Sequence, residues 1–286
     1  MKKLVTAILT AALAVTSTSV AFAAGGTGYE AAKLKNAVTV DGKIDGAEWD
    51  DANEIVMNAD QKDITWANDV KYTADEFSVS MKFKWDENNL YILQQRKDVD
   101  FKESADALAP FNADGTLIFL TNNAKNTGRY DIFFTAEKPA TAVRAYSEAG
   151  AALAAAATDC KIATTKEGDV HTTEIIIPWS EINSKVIDKY DVKEGSEFTF
   201  CVIMPNTNAK FGQMHYNVEA GKGADDPTAW ASFKLAAAKA GGNTNNESST
   251  TTPSTGDNFG AIIAAGVIGA AALTAGVLAV SKKKSK

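Results

Sequence analysis

Aromatic rings are the first residues of this chain whose types and positions could form a binding site. Trp49, Trp85 and Trp179 have apolar neighbours on strands or strand ends that the pattern predicts, which favours a place in the core. Six other rings are candidates for stacking against a ligand. They are Trp66, Phe111, Tyr130, Tyr146, Tyr216 and Trp230.

Acidic side chains crowd the polar stretch 96–112, which is predicted to be a long loop. Asp98, Asp100 and Glu103, with Asp106 after them, could hold calcium, because Ca²⁺ takes roughly six to eight oxygen ligands. A solvated loop explains these residues equally well. The chain has no Cys-x-x-Cys or His-x-x-x-His spacing, so a zinc site has no support. No pair of carboxylates has a setting typical of a glycosidase, and we predict that the protein is not an enzyme.

Methionine and histidine could instead serve as axial ligands of haem. Met81 and Met204 alternate with other apolar residues on predicted strands and are most simply core. Met214 and His215 are adjacent, so on a strand they point in opposite directions and cannot both bind one iron. His171 opens a predicted strand beside two threonines, which favours a solvated side chain. Haem binding is kept as an alternative.

Elements that could position these residues are mostly strands. Between Phe77 and Trp85, apolar and polar residues alternate strictly, which is typical of a half-buried strand. The turn residues 86–89 and the apolar run 90–93 then predict a hairpin. Similar patterns predict about ten to twelve strands in all, and one short helix at 180–186. We therefore expect an all-β fold, an antiparallel β-sandwich of jelly-roll type. The alanine-rich stretch 147–157 is predicted to be a short helix or a collapsed loop.

The two ends of the chain differ from this domain. A basic start, an apolar run and Ala21-Phe22-Ala23 predict a secretory signal peptide over residues 1–23. Residues 259–280 are apolar or small and could cross a bilayer, and the basic residues 281–286 would stay in the cytoplasm. Residues 241–257 are rich in Gly, Asn, Ser and Thr and predict a flexible linker. The folded domain should then span 29–240.

Pro253, Thr255 and Gly256 precede the apolar segment and the basic tail in an order that resembles the sortase sorting signal of Gram-positive surface proteins. Thr252 stands where the common signal has Leu. The resemblance implies cleavage after Thr255 by a sortase and attachment to cell-wall peptidoglycan. A plain single-pass anchor is the alternative. Both interpretations place the domain outside the cell, at its surface.

The net charge limits the classes of partner that the domain is expected to bind. The chain has 29 basic and 36 acidic residues, a net charge of −7. Without the two lysines of the signal peptide, Asp257 and the four lysines of the tail, 23 basic and 35 acidic residues remain, a net charge of −12. This acidity argues against nucleic acid or anionic polymers and suits a neutral ligand or a cation. Cys160 and Cys201 could form a disulfide outside the cell, which only geometry decides.

Several blocks of residues follow one another in a particular order. The blocks are Val40-Asp41-Gly42-x-Ile44-Asp45 with Trp49, then the run 84–92 with Lys97-Asp98, then Asp114, then 174–179, and finally Gly195 to Phe198. In this order they resemble carbohydrate-binding module family 9 and its DOMON-like relatives. The resemblance covers about 38–235. It implies a β-sandwich that binds sugars between aromatic rings and carries structural calcium. DOMON-like relatives also bind haem.

The same resemblance implies where a sugar would bind. Phe111, after Pro110 and before Asp114, takes the position of the first clamping ring, and Trp230 lies next to the loop 221–229 that would carry the second. Leu117 replaces a glutamate of the family, and the family's arginine is replaced by Asp131 or shifted to Arg129. The predicted ligand-binding set is Phe111, Asn112, Asp114, Arg129, Tyr216 and Trp230.

The sequence as a whole predicts a non-catalytic protein of the Gram-positive cell surface that binds carbohydrate. The alternatives are a haem-binding surface protein, and an adhesin or structural module without a small ligand.

Overall fold

The computed structural model describes residues 28–61, 64–67, 71–106, 108–207, 211–219 and 222–239. The predicted signal peptide, most of the linker, the sorting signal and the apolar segment 259–280 lie outside these residues. Within them, no helix has the length and apolar character needed to span a membrane.

Fourteen strands and one α-helix make up the described part of the chain. In chain order the strands are β1 Tyr29–Lys33, β2 Glu54–Met57, β3 Ile64–Ala67, β4 Phe77–Trp85, β5 Asn89–Asp98, β6 Thr116–Thr121, β7 Arg129–Thr135, β8 Ala140–Tyr146, β9 Ala152–Ala156, β10 Lys161–Glu167, β11 Val170–Pro178, β12 Glu197–Asn206, β13 Gly212–Tyr216 and β14 Ala231–Ala236. The helix α1 is Trp179–Lys185, and 3₁₀ turns cover Pro110–Asn112, Asn126–Gly128 and Pro227–Ala229. The all-β prediction is confirmed.

The strands form one continuous sheet in the order β10-β11-β5-β4-β1-β14-β12-β6-β7-β8-β9, with β2, β3 and β13 attached beside this path. Purely antiparallel pairing is wrong, because β1 runs parallel to both neighbours, β14 and β4. The alternating pattern does not predict β1, whose sequence Tyr-Glu-Ala-Ala-Lys has no period of two. The small Ala31 and Ala32 fit this position because both are fully buried between the neighbouring strands.

The sheet curls until its two halves share one core. Phe83 on β4 and Phe200 on β12 are three strands apart, about 14 Å on a flat sheet. Their ring centroids are only 5.8 Å apart. Tyr29 and Phe233 pack against the same rings, at 5.3 Å from Phe83 and 5.0 Å from Phe200 respectively. The inner face of the curled sheet is therefore the hydrophobic core.

Two further predictions about elements are wrong. The alanine-rich stretch contains the strand β9, whose five residues pair with β8 and are all exposed. The predicted loop 96–112 begins later than expected, because β5 continues to Asp98 alongside β11 and β4. Alanine has a high helix propensity, so an alanine-rich stretch does not predict a strand. Polar residues at the end of β5 have a low strand propensity, so the pattern predicts a loop there. In both places, pairing with the neighbouring strands determines the structure.

The outer face of the hairpin β4–β5 is not half-exposed, as the alternation predicts. Ser78, Ser80 and Lys84 are buried, because segment 34–58 lies over this face. Lys84 donates from Nζ to the Glu48 carbonyl at 2.9 Å and pairs with Asp51 at 2.6 Å. The predicted core position of Trp49 is confirmed, with 1% of the side chain exposed. We call this covered surface the sealed face.

Glu174 on β11 fastens the cover of the sealed face. Its carboxylate accepts from Trp49 Nε1 at 2.9 Å, from Asp41 N at 3.1 Å and from Gly42 N at 3.0 Å. Gly42 has a φ of +78° and lies so close to the backbone of Thr164 and Thr165 that a Cβ would collide with it. The Asp-Gly turn of the sequence is thus a docking point for the cover.

Candidate functional site

The outer face of β6, β7 and β8 carries the most unusual set of side chains in the described structure. On these strands one set of alternate residues, such as Ile118, Ile132 and Val143, enters the core. The other set faces outward and combines apolar residues with charged ones. These residues are Leu117, Phe119, Arg129, Asp131, Phe133, Ala142, Arg144 and Tyr146. Only Arg144 and Tyr146 among them are partly exposed, and the apolar residues form a second buried cluster with Trp230. We call this surface the open face.

A buried carboxylate holds two guanidinium groups on the open face. Asp131 accepts from Arg129 through both oxygens, from Nε at 2.7 Å and Nη2 at 3.0 Å. Arg144 lies opposite Asp131 in the strand register and donates from Nε to Oδ2 at 2.6 Å. Asp131 and Arg129 are fully buried, while the Arg144 side chain is 23% exposed. Directly opposed opposite charges stabilise a strand pair, and here they also fix the arginine rotamers.

Aromatic rings surround the guanidinium of Arg129. Its Cζ lies 4.4 Å from the ring centre of Phe119, 5.1 Å from that of Tyr146 and 5.1 Å from that of Trp230. These are cation–π distances, and such contacts strengthen when water is excluded. Phe119 and Trp230 are buried beneath the arginine, whereas Tyr146 at the end of β8 is half-buried. Tyr146 is therefore the accessible ring of the group.

The loop 222–230 adds an exposed carboxylate. Two hydrogen bonds fix the position of the loop. Trp230 donates from Nε1 to the Ala224 carbonyl at 3.0 Å, and Asp226 accepts from Thr228 N at the start of a 3₁₀ turn. Asp225 then reaches Arg129 Nη2 with Oδ1 at 2.8 Å and Arg144 Nη2 at 3.5 Å. The Asp225 side chain is 79% exposed.

The edge strand β9 keeps this group accessible. Ala152 and Ala154 lie opposite Tyr146 and Arg144 in the register and therefore share their face of the sheet. A methyl group is too small to cover a neighbouring ring or guanidinium. The alanines of β9 thus leave a flat margin beside the two side chains.

The open face can bind a polar ligand that has one apolar side. The Tyr146 ring offers a stacking surface, Arg144 Nη1 makes no bond to any described residue, and Asp225 offers carboxylate oxygens. An aromatic ring beside fixed donors and acceptors suits a pyranose, whose C–H groups stack while its hydroxyls form hydrogen bonds.

Burial and charge shift the pKa values of the open face. Burial works against the charge of Arg129, but Asp131 and Asp225 outweigh it and hold the pKa of this guanidinium above its usual value. Burial raises the pKa of Asp131, and the two arginines oppose this shift. Burial, together with Asp131, also raises the pKa of Tyr146. Arg129 and Tyr146 therefore keep their protons at neutral pH.

The predicted ligand-binding residues do not come together. Arg129 and Trp230 do belong to the open face, but both are buried, so they support the surface rather than form it. Tyr216 lies in the core at 9% exposure, and Tyr130 is fully buried there as well. Among the six predicted stacking rings, Tyr146 is the one that the structure places on this face with an accessible edge.

Phe111 and Asn112 are exposed on the 3₁₀ turn before β6. This turn lies at the Thr116 end of β6, whereas Arg129 pairs with Thr121 at the other end, about 17 Å along the strand. Phe111 and Tyr146 are thus too far apart to clamp one sugar ring. Asp114 is buried and holds loops together by accepting from Lys102 N and Thr207 N.

The predicted calcium ligands also have separate partners. Asp98 is buried and accepts from Arg96 at 2.7 Å and from Asn206 Nδ2 at 2.9 Å. Asp100 pairs with Lys102, and Glu103 accepts from the backbone N–H groups of the turn 137–138. No group of three or more His, Cys, Asp or Glu in the described residues is arranged to hold one metal ion. Calcium binding at this loop stays a prediction.

The histidines and methionines are placed as follows. Met81, Met204 and Met214 lie in the core. The interpretation of His171 as solvated is wrong, because it is fully buried, with its ring centre 4.2 Å from that of Phe101. The contact comes from the segment after β5, which a single strand pattern cannot reveal. Cys160 and Cys201 are free thiols in this structure.

Two solvent-open cavities lie outside the open face. One, of about 500 Å³, borders β1 and β14 and has no aromatic residue in its lining. The other, of about 470 Å³, lies near Asn123 and Asp188 and has the buried Phe198 as its aromatic residue. Neither lining offers an exposed ring on which a sugar could stack.

Comparison with known proteins identifies the family. The profile of the family described as "Carbohydrate family 9 binding domain-like" matches residues 40–238, and the chain belongs to this family. The predicted relationship to carbohydrate-binding module family 9 is thereby confirmed. No curated protein matches the chain.

One solved structure shows the same kind of fold, and two others are similar at a lower level. A proposed carbohydrate-binding protein from Bacteroides uniformis is 8% identical with a TM-score of 0.55, over 73% of this chain and 99% of that one. Two structures of a family 9 carbohydrate-binding module from Caldicellulosiruptor kristjanssonii have TM-scores of 0.48. The complex with cellotriose is 15% identical over 79% of this chain, and the complex with glucose is 14% identical over 78%; each is covered in full.

Proposed function

We propose that the open face is the carbohydrate-binding site of a non-catalytic surface protein. The observation that carries the proposal is the juxtaposition of the half-buried Tyr146 ring with Arg144 and Asp225. The ring gives affinity through stacking on the apolar side of a pyranose. The charged groups select the orientation of its hydroxyls. Membership of a carbohydrate-binding family supports the choice of ligand.

A preorganised surface supports this choice over an adhesin without a small ligand. Asp131 fixes both arginines from below, and Trp230 fixes the loop that carries Asp225. Little rotamer entropy is therefore lost when a ligand binds. A shallow surface with one ring suits weak to moderate binding of an extended glycan.

The test is a glycan array on the full-length chain, purified in detergent, followed by titration of the sugars that bind. Tyr146→Ala should weaken binding about tenfold, which is the scale of one aromatic contact. Phe111→Ala, which removes an exposed ring at the other end of β6, is the control. Loss of binding in the control alone would place the site at the 3₁₀ turn. Absence of binding in the unaltered chain would refute the function.

Arrays with and without calcium, on protein checked for a Soret band, address the two cofactor hypotheses. Calcium-dependent binding would support a role for the acidic loop at Asp98, Asp100 and Glu103. A Soret band would favour haem.

We further propose that the protein is anchored at the cell surface through Pro253, Thr255 and Gly256. The order of this motif, an apolar segment and a basic tail supports the proposal. A sortase would cut between Thr255 and Gly256 and join the threonine carboxyl to peptidoglycan. Thr255→Ala should leave the protein in the membrane fraction, whereas the unaltered chain should appear in the cell-wall fraction. Equal distribution of both would refute wall attachment and favour a single-pass anchor.

A further inference from the structure

The exposed rim of the arginine pair is occupied by a carboxylate of the chain itself. Asp225 contacts Arg129 Nη2 and Arg144 Nη2 through one oxygen, Oδ1. Its side chain is otherwise in solvent, at 79% exposure. The Asp225 backbone carbonyl also accepts from Arg129 Nη1 at 3.0 Å, which holds the loop at the rim independently of the exposed carboxylate.

The arginines do not have the same freedom. Arg129 is 1% exposed and is held by Asp131, so it cannot turn toward water when Asp225 moves away. Asp131 balances one of the two positive charges, and one positive charge remains at the rim. A buried guanidinium that loses an acceptor is costly, so the rim selects another anion in place of Asp225.

From this arrangement we infer that Asp225 takes the place of a ligand carboxylate, and that the open face binds acidic sugars of the uronic acid class. This inference rests on the proposed function and specifies its ligand. The Tyr146 ring centre lies 5.1 Å from Arg129 Cζ and 5.8 Å from Arg144 Cζ. One uronic acid residue can therefore stack on Tyr146 while its carboxylate bridges the two arginines.

The acidic exterior of the domain does not oppose such binding at short range. At physiological ionic strength, repulsion between exposed charges is screened over about 8 Å. A carboxylate that contacts two arginines directly gains charge-assisted hydrogen bonds within that distance. Net charge alone predicts a neutral ligand. At this site, however, Arg129 and Arg144 favour an anionic one.

Three matched sugars and three variants test the inference on the full-length chain. Glucuronate, glucuronamide and glucose share a ring and differ at C6, where they carry a carboxylate, an amide and a hydroxymethyl group. Asp225→Asn should bind glucuronate about fivefold more tightly than the unaltered chain, the factor that corresponds to one exposed ion pair. Glu219→Gln removes the same charge from the segment just before the loop, at a residue that has no ion pair with either arginine, and should bind as the unaltered chain does. Arg144→Gln should lose the preference for glucuronate.

The outcomes separate the inference from the function it refines. Preference for glucuronate over both neutral sugars, increased by Asp225→Asn alone, supports it. If the neutral sugars bind as well as glucuronate, or if Asp225→Asn weakens binding, the inference is overturned and the sugar-binding function stands. If no sugar binds to any form of the chain, the proposed function fails as well. If Glu219→Gln strengthens glucuronate binding as much as Asp225→Asn does, the effect is due to weaker overall charge repulsion, and the inference is overturned.

Discussion

The sealed face over β4, β5 and β11 and the open face over β6, β7 and β8 are built from the same ingredients. Each has a buried carboxylate, an aromatic residue and a buried cation on the outer side of the same curled sheet. On the sealed face Glu174 and Lys84 bind the cover, segment 34–58. On the open face Asp131 binds two arginines, the buried Arg129 and the partly exposed Arg144.

The difference lies in what the charged groups hold. Glu174 accepts only from backbone and side-chain groups of the cover, so all its hydrogen bonds contribute to folding. Asp131 holds side chains of its own sheet, and Arg144 keeps donors for another molecule. Buried polar networks of the same type therefore stabilise the fold on one face and prepare a binding surface on the other.

Asp131→Ala should have the largest effect on this comparison. It leaves the buried Arg129 and its neighbour Arg144 with only the exposed Asp225 as counter-charge, and loss of a buried partner typically costs about 3–5 kcal/mol. The free energy of unfolding in urea should fall by that amount, and sugar binding should be lost. Asp131→Asn, which keeps the shape and one acceptor, is the control and should be less destabilised. A change below about 1 kcal/mol in the alanine variant would mean that the arginines are solvated.

Glu174→Ala should have the second-largest effect on stability. It should affect the sealed face and leave the open face unchanged. Three N–H groups of the cover lose their acceptor, at a cost of about 2–3 kcal/mol. Sugar affinity measured under native conditions should not change, because the open face makes no use of this residue. Glu174→Gln should recover part of the stability. An altered sugar affinity at full folding would show that the two faces are coupled.

Ala154→Trp should close the open face without a comparable cost in stability. Ala154 is exposed and lies opposite Arg144, so a large ring there would cover the guanidinium. Binding should weaken about tenfold, while the urea midpoint changes little. Leu153→Trp, on the other side of the same exposed strand, is the control and should bind normally. Equal binding in both variants would place the sugar elsewhere.

The smallest expected effect concerns acid stability. Burial lowers the pKa of His171, and the cations Lys166 and Arg96 lower it further, although Glu137 opposes them. Burial also lowers the pKa of His215. The unfolded chain then binds more protons than the folded chain as the pH falls through the usual histidine pKa, so stability is lost on acidification in that range.

Unfolding in urea between pH 7.5 and 5.5 measures this loss. His171→Phe should reduce the slope of stability against pH and keep the ring contact with Phe101. His215→Gln should remove a separate part of the slope. An unchanged slope in both variants would assign the acid sensitivity to other groups.

Much of the fold could be predicted because alternation reports burial directly. The residues of β4, β6 and β12 that alternate into the core are the ones that the sequence indicates. The alternating pattern did not predict the strands β1 and β9, in which burial does not follow a period of two. The short β1 is buried between two strands by pairing, and β9 is an exposed edge whose alanines have no hydrophobic face to display.

The candidate site could be predicted only in part. Tyr146 was a candidate by residue type and Arg129 through the family resemblance, but Arg144 and Asp225 were not candidates, since neither lies in a motif. The spacing of two between Arg129 and Asp131 on one strand could have indicated that both lie on the same face, with Tyr130 on the other. Nothing in the sequence brings Asp225 to that face, because the loop returns to it through the contact between Trp230 and Ala224.

The sequence by itself determined the all-β class, the core tryptophans and the membership of a carbohydrate-binding family, because these depend on local periodicity and on residues in a fixed order. Only the tertiary structure decided which outer face is covered and which is accessible. Alternating strands present the same polar pattern in both cases. Whether a face is covered depends on where distant segments such as 34–58 and 222–230 pack against the sheet. It also depends on whether the buried carboxylate of that face binds such a segment or binds side chains of the sheet itself.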